Sequence, residues 1–284
     1  MEIITRIPRM VSIARELREA GKRIGLVPTQ GSLHEGQLSL MGRAREMCDT
    51  VIVSILTSVG PQPANDVERS SADLARDAEL AFTRGVDFIF APASEDISPQ
   101  GAMTLTIVEG LSDKLEGASR PGGFRDFTTT VNKLFNIVLP NFAFFGRKDA
   151  QEIIIIKRMV RELSLDVEIV AGPTVREEDG LALSSGNVYL STEERKAATV
   201  LRRALERCRS TYNAGERDSS KLIASMRSVI ESEPLARIDY IAITDTTNLD
   251  PVETIPTAKP ILVSMAVFIG ETRLVDNIVL NGEL

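Results

Sequence analysis

The segment Pro28-Thr29-Gln30-Gly31-Ser32-Leu33-His34-Glu35-Gly36-Gln37 holds the residues best able to do chemistry. Gly31 and Gly36 carry no side chain, so backbone there can come close to a nucleotide. A helix starting just after them offers N–H groups and positive potential to phosphates. His34 adds one more donor. The bland alternative is a turn ending in a helix-starting histidine, and the segment alone does not separate the two. His34 is the chain's only histidine, which excludes a histidine pair or a multi-histidine metal site within one chain. Cys48 and Cys208 lie far apart, form no metal or redox motif, and read as reduced cysteines in helices.

The elements that must hold this segment follow from hydrophobic period and punctuation. Ile24–Val27 is a short apolar run ending at Pro28, a buried strand followed by a loop. Glu35–Met47 places Leu38, Leu40, Met41 and Ala44 at helical spacing, and Thr50–Leu56 is a β-branched strand. Asp73–Arg84 predicts a helix stopped by Gly85, and Val86–Phe90 another strand. A helix near Phe127–Ile137, a strand near Phe142–Phe145, a helix over Ala150–Leu163 and a strand at Val167–Val170 continue the alternation. Alternating strands and helices imply right-handed crossovers and a doubly wound parallel sheet, a Rossmann-like α/β domain. Ligands are then expected in the loops after Val27, Leu56, Phe145 and Val170. Beyond Ser191 the pattern changes to helices at Thr192–Cys208 and Ser220–Ser232, joined by a turn at Asn213–Glu216. Strands at Ile238–Ile243, Ile261–Ile269 and Arg273–Leu280 follow. The expectation is a nucleotide-binding domain over residues 1–189 and a smaller α+β domain over 190–284.

The chain has 284 residues, 43% of them hydrophobic and 26% charged, enough for a real core in one large or two unequal domains. Its net charge of −7 argues against a general nucleic-acid binder, though a few local donors suffice to hold ATP. The N-terminus, Met1–Arg6, has no apolar run of signal-peptide length and no later segment approaches membrane-spanning length, so a cytoplasmic protein with no membrane partner is expected.

The Pro28–Leu40 stretch resembles the P-T-M-G-x-L-H-x-G-H-x-x-L signature of pantothenate synthetases, within the H-x-G-H nucleotidyltransferase superfamily. Further blocks resemble that family in order and spacing: Leu115–Gly122, Lys133–Asn136, Phe145–Gln151 and Arg176–Ser185. The resemblance implies ATP-dependent adenylation of pantoate, then attack of β-alanine's amine on the acyl-adenylate. It also implies Mg²⁺, no protein-bound metal cluster, and a homodimer. Carried over by position, it implies nucleotide contacts from Gln30, Gly31, Ser32, Leu33, His34, Gly36, Gly146, Lys148, Asp149, Val175, Leu183, Ser184 and Ser185. His34 and Lys148 would serve the chemistry, and Glu116 and Arg120 would line the substrate pocket. Asp149 also reads as an N-cap before Ala150, which is compatible with a nucleotide contact.

Other family positions are occupied differently. Gln37 stands at the second signature histidine, Gly186 at the arginine of Ser-Ser-Arg-Asn, and Gly123 at the histidine of Pro-Gly-His-Phe. Pro61 stands at one pantoate-binding glutamine with Gln62 beside it, and Glu152 at the other. Ser70-Ser71-Ala72 stands for Tyr-Pro-Arg and Asp126 for a glycine. Glu152 also suits the dipole in a first helical turn, and Asp126 reads as an N-cap before Phe127. With so many changes around one pocket, native activity is expected to be strongly reduced or lost. The alternative is the same scaffold with a pocket refitted, by evolution or engineering, for another small molecule, with Glu152 as a general base. A non-catalytic protein kept for its dimer surface ranks last, because the nucleotide loops are well formed.

Overall fold

β-Branched and aromatic runs form the strands, and segments of helical period cover them. The computed structural model describes residues 1–56 and 71–284. Strands β1 (Glu2–Ile4), β2 (Ile24–Thr29), β3 (Thr50–Ile55), β4 (Phe88–Phe90), β5 (Phe142–Gly146) and β6 (Glu168–Gly172) form a six-stranded sheet ordered β1-β4-β3-β2-β5-β6. Every pairing in it is parallel. The connections carry α1 (Ile7–Glu19), α2 (Glu35–Met47), α3 (Ser71–Phe82), α4 (Ser94–Ile97), α5 (Glu116–Ser119), α6 (Gly123–Val138) and α7 (Ala150–Glu162). All six residues of β3 are buried, as in a strand covered on both faces.

Strand order reverses between β2 and β5, so the switch point of this Rossmann-like sheet lies there. Pro28 shows how the switch point opens. The Ile24 carbonyl accepts from Asn141 beside β5, whereas the Thr29 carbonyl accepts from Leu56 beyond β3. Backbone groups alternate sides along a strand, so the donor that Pro28 lacks would have faced β5. Pairing with β5 stops at Leu26↔Ala143, before Pro28 is reached. The proline therefore costs no ladder bond, and the two strands part toward their carboxyl ends.

The chain divides into two compact units. One comprises Met1–Asp113, Gly117–Gly146 and Ile155–Gly172, with Val27, Leu38, Met41, Val53 and Ile89 in its core. The other comprises Lys114–Glu116, Arg147–Ile154 and Pro173–Leu284. It holds α8 (Thr192–Ala197), α9 (Val200–Asn213), α10 (Ser219–Glu231) and the antiparallel sheet β7 (Ala236–Asp245), β8 (Ile261–Ile269), β9 (Thr272–Leu280). Leu201, Leu205, Leu222, Met226 and Met265 gather in its core. Among the described residues no helix is long and apolar enough to cross a membrane.

Several local expectations need correction. β2 runs on through Pro28 and Thr29, for the reason just given. The helix expected from Thr192 to Cys208 is two helices. The Thr199 hydroxyl donates to the Lys196 carbonyl at 2.8 Å, and the N–H groups of Thr199 and Leu201 bond three residues back, which tightens and breaks the helix. Helix α6 starts at Gly123, capped by Gly122 in a left-handed conformation, so Asp126 is no N-cap. It sits within the first turn, with Arg125 Nε 3.1 Å from its carboxylate. Cys48 caps the end of α2 instead of lying inside a helix, while Cys208 lies in α9; both are buried. β1 and α1 were not expected: β1 has three residues, and α1 buries only Met10, Ile13 and Ala14 under a charged surface.

Candidate functional site

The β2–α2 loop is built by consecutive left-handed residues, Gly31 at φ 76° and Ser32 at φ 48°. The Gly31 N–H donates to Thr29 Oγ1 at 3.2 Å, and the Leu33 N–H to Asp77 Oδ1 at 2.9 Å. Asp77 is buried on α3 and anchors the loop from beneath. A signal for it was present: Leu74, Asp77, Ala78 and Ala81 share helical spacing, placing a carboxylate on an apolar face. Gln30 and Ser32 are exposed, and Leu33 is buried.

His34 is the N-cap of α2. Its Nδ1 accepts the Gly36 N–H at 3.1 Å, and Gln37 Oε1 accepts the His34 N–H at 3.0 Å, closing a capping box. An accepting Nδ1 carries no proton, so Nε2 is the protonated, donating nitrogen. Gln37 thus has a defined local task, as the third-position glutamine that capping boxes favour. Gly36 is required by the same geometry, because a Cβ there would stand 2.8 Å from His34 Cε1. Gly36→Ala is expected to push the imidazole off its cap, lowering stability by about 1 kcal/mol with the fold retained. Denaturant unfolding checks this, and an unchanged midpoint would contradict it.

Gly146 ends β5, and a Cβ on it would meet nothing within 4 Å, leaving the approach to this strand end open. In the other unit, Arg147–Asp149 form a 3₁₀ turn leading into α7. Lys148 Nζ lies 2.9 Å from Asp149 Oδ1. Burial works against the Lys148 charge, but Asp149, Glu152 and Asp276 outweigh it and hold its pKa above the ordinary lysine value. Glu152, in the first turn of α7 as expected, therefore shares a cation with Asp149. Asp149 closes the 3₁₀ turn and binds the lysine.

The segment after β6 folds back on itself. Leu183 N–H donates to the Val175 carbonyl at 3.0 Å, Glu177 N–H to the Leu181 carbonyl at 2.8 Å, and Arg176 bridges Ala182. Arg195 clamps this hairpin through Asp179 at 2.6 Å and Glu177 at 2.7 Å. Its bond to Asp179 holds that carboxyl below the usual range. Ser184 then caps a 3₁₀ turn, its Oγ accepting the Gly186 N–H at 3.2 Å, and Ser185 is exposed.

Glu116 is held in an ion-pair network. Both its oxygens take Arg273, at 2.7 and 3.0 Å, and Asp239 takes the same guanidinium at 2.7 Å. The buried Gln151 accepts the Glu116 N–H at 3.0 Å and donates to the Lys114 carbonyl at 2.8 Å. Sequence reasoning missed Arg273, because a partner 157 residues away leaves no local signal. Arg120 is exposed in the first unit, and Gly123 opens α6. A Cβ on Gly123 would lie 3.7 Å from Arg120 Cβ, and one on Gly186 3.6 Å from Ser184 Oγ, both ordinary contacts. Pro61, Gln62 and Ser70 lie outside the described residues, and Ser71 and Ala72 open α3. Among the described residues no three His, Cys, Asp or Glu side chains gather as a metal site.

Residues 2–279 match the family model described as pantoate–β-alanine ligase. The chain belongs to the pantoate–β-alanine ligase family. The pantothenate synthetase of Pelotomaculum thermopropionicum is 50% identical over 287 residues, covering 100% of both chains. That of Heliobacterium modesticaldum is 50% identical, covering 98% of this chain and 99% of its own. A pantothenate synthetase structure from Thermus thermophilus superposes with a TM-score of 0.88 at 38% identity, covering 98% of this chain and 99% of that one. A pantoate–β-alanine ligase from Francisella tularensis, complexed with β,γ-ATP and β-alanine, gives 0.75 at 30% identity, with 98% and 97% coverage. Ligases of this family use ATP, and the parallel sheet with a small antiparallel sheet is their fold.

Proposed function

We propose that the protein condenses pantoate with β-alanine at the expense of ATP, at a rate strongly reduced by missing cations. In the first step a pantoate carboxylate oxygen attacks the α-phosphorus and the Pα–O bond to pyrophosphate breaks. In the second, the β-alanine nitrogen attacks the acyl carbon, the C–O bond to AMP breaks, and the amine proton leaves to solvent. Lys148 carries this reading: it is a cation paired with Asp149, within a block that resembles the family's nucleotide loop. It neutralises charge on the phosphates as pyrophosphate departs. The Nε2–H of His34 and the N-terminal turn of α2 donate to phosphate oxygens. Gly31, Gly36 and Gly146 give the nucleotide room, and Val175, Leu183, Ser184 and Ser185 belong to a block that resembles the family's nucleotide-contacting segment. Magnesium would accompany the ATP phosphates and supply charge neutralisation there.

The weakness lies in three positions. Gln37 offers a neutral amide whose oxygen already serves the cap, and Gly123 and Gly186 offer no side chain. The test is chromatography of the full reaction. Pantothenate and AMP should form in equal amounts, slowly, and only when all three substrates are present. No product above a buffer blank, with folded protein at high concentration, would overturn the proposal. A second reading, a pocket refitted for another acid, draws on Glu152 and on the room at Gly123 and Gly186. It requires AMP formation with an acid other than pantoate.

The proposal extends to a cytoplasmic homodimer. The Thr106 N–H and carbonyl are held by Thr129 and Thr128 of α6, leaving the other edge of residues 103–107 to Met103, Leu105 and Ile107, which are 95%, 45% and 52% exposed. A segment with unpaired backbone and exposed apolar side chains at alternate positions can pair with its own copy about a two-fold axis. Leu105→Lys is expected to shift sedimentation from dimer to monomer. A monomeric parent chain would contradict this assignment.

A further inference from the structure

We propose that Asp276 and Asn277 on β9 are positioning residues for Lys148 and for the hairpin that leads to Ser184 and Ser185, a role that rests on the function proposed above. Side chains alternate along a strand. Leu274, Ile278 and Leu280 belong to the helix-covered core, so Asp276 faces that side and Asn277 the other. Asn277 is buried and uses both amide hydrogens, one on the Arg147 carbonyl at 2.9 Å and one on the Lys148 carbonyl at 2.7 Å. Those carbonyls belong to the peptide planes on either side of the Lys148 Cα. Holding both planes fixes the direction in which the lysine side chain leaves the backbone. A three-residue 3₁₀ turn has too few internal bonds to do this itself.

Asp276 is 1% exposed and fully engaged. It takes Arg176 Nη1 at 2.7 Å and Nη2 at 2.9 Å, and accepts the Asn277 N–H at 2.8 Å. Arg176 spends a further hydrogen on the Gly180 carbonyl at 3.0 Å, so the arginine is locked to the turn of the hairpin. Asp276 also adds negative potential that favours the charged form of Lys148. One dipeptide therefore sets the aim of the lysine and anchors the segment that carries the two serines.

The test compares ATP with adenosine, since only ATP has phosphates for Lys148 to touch. Asn277→Asp keeps the shape of the side chain but removes both donors. Its Kd for ATP is expected to rise about tenfold, as for one lost charge-assisted contact, with the Kd for adenosine unchanged. In a Lys148→Met background the same substitution should weaken ATP binding no further. An equal loss for adenosine, or an undiminished effect in the Lys148→Met background, would mean a merely structural role and overturn the inference. Should Asn277→Asp fail to fold, Asn277→Ser is read in the same way, with a smaller loss expected. A parent chain that binds neither ATP nor adenosine would instead refute the proposed function itself.

Discussion

Restoring the missing cations, with Gly186→Arg and Gln37→His in one chain, raises the rate of pantoate-dependent pyrophosphate release by about three orders of magnitude. Each lost electrostatic contact to the transition state is worth on the order of 3 kcal/mol, or about a hundredfold. Full additivity would give about ten-thousandfold, and the cap reduces it. Gln37 Oε1 accepts the His34 N–H, and a histidine must replace that bond with a less favourable one, at roughly 1 kcal/mol. Gly186 poses no such difficulty. Its backbone lies outside the left-handed region and its Cβ would make an ordinary 3.6 Å contact with Ser184 Oγ. Stopped-flow measurement of pyrophosphate in the single and double variants decides the matter. A double variant no faster than the parent would show that these two positions do not limit the chemistry.

Lys148→Ala has the opposite effect, lowering pyrophosphate release at least about a hundredfold. The substitution also removes the cation whose charged form Asp149, Glu152 and Asp276 favour. Losing the part-buried Lys148–Asp149 pair removes a favourable interaction, so the thermal midpoint falls modestly as well as the rate. The sign of the pH dependence follows from the raised lysine pKa. A group titrating higher in the folded chain than in the unfolded one contributes full stability below its ordinary value of 10.5. That contribution is lost as pH rises through the folded value. Denaturant melts across the alkaline range should show the parent losing stability there more steeply than Lys148→Ala. Parallel pH curves would remove Lys148 from the account of stability while leaving the kinetic test intact.

The fold was legible where periodicity is strong. Val51, Val53 and Ile55 announce β3, and Leu38, Met41 and Ala44 announce the buried face of α2. It was illegible where an element is held by partners far along the chain. β1 exists because Glu2–Ile4 pairs with Phe88–Phe90, and three residues carry no period of their own. The break at Thr199 comes from a hydroxyl that takes a helical carbonyl, with no proline or glycine to mark it.

The site divides in the same way. Gly31, His34 and Gly36 stood out because glycine spacing at a strand-to-helix junction has a local physical meaning. The use of Gln37 in a capping box was also within reach, since a glutamine three residues past an N-cap is a recognised helix start. The surroundings of Lys148 were not. Asn277 and Asp276 lie well over a hundred residues from the turn they serve. The ion pair that holds Glu116 was illegible too, because Arg273 lies 157 residues away.

The central claim is that this chain still adenylates pantoate, with Lys148 as the principal cation. Pantoate-dependent exchange of labelled pyrophosphate into ATP isolates that step from β-alanine and from product release. Slow exchange that requires pantoate, and that disappears in Lys148→Ala, is the predicted result. Exchange no faster than a protein-free blank, or equal in the parent and Lys148→Ala, would contradict it.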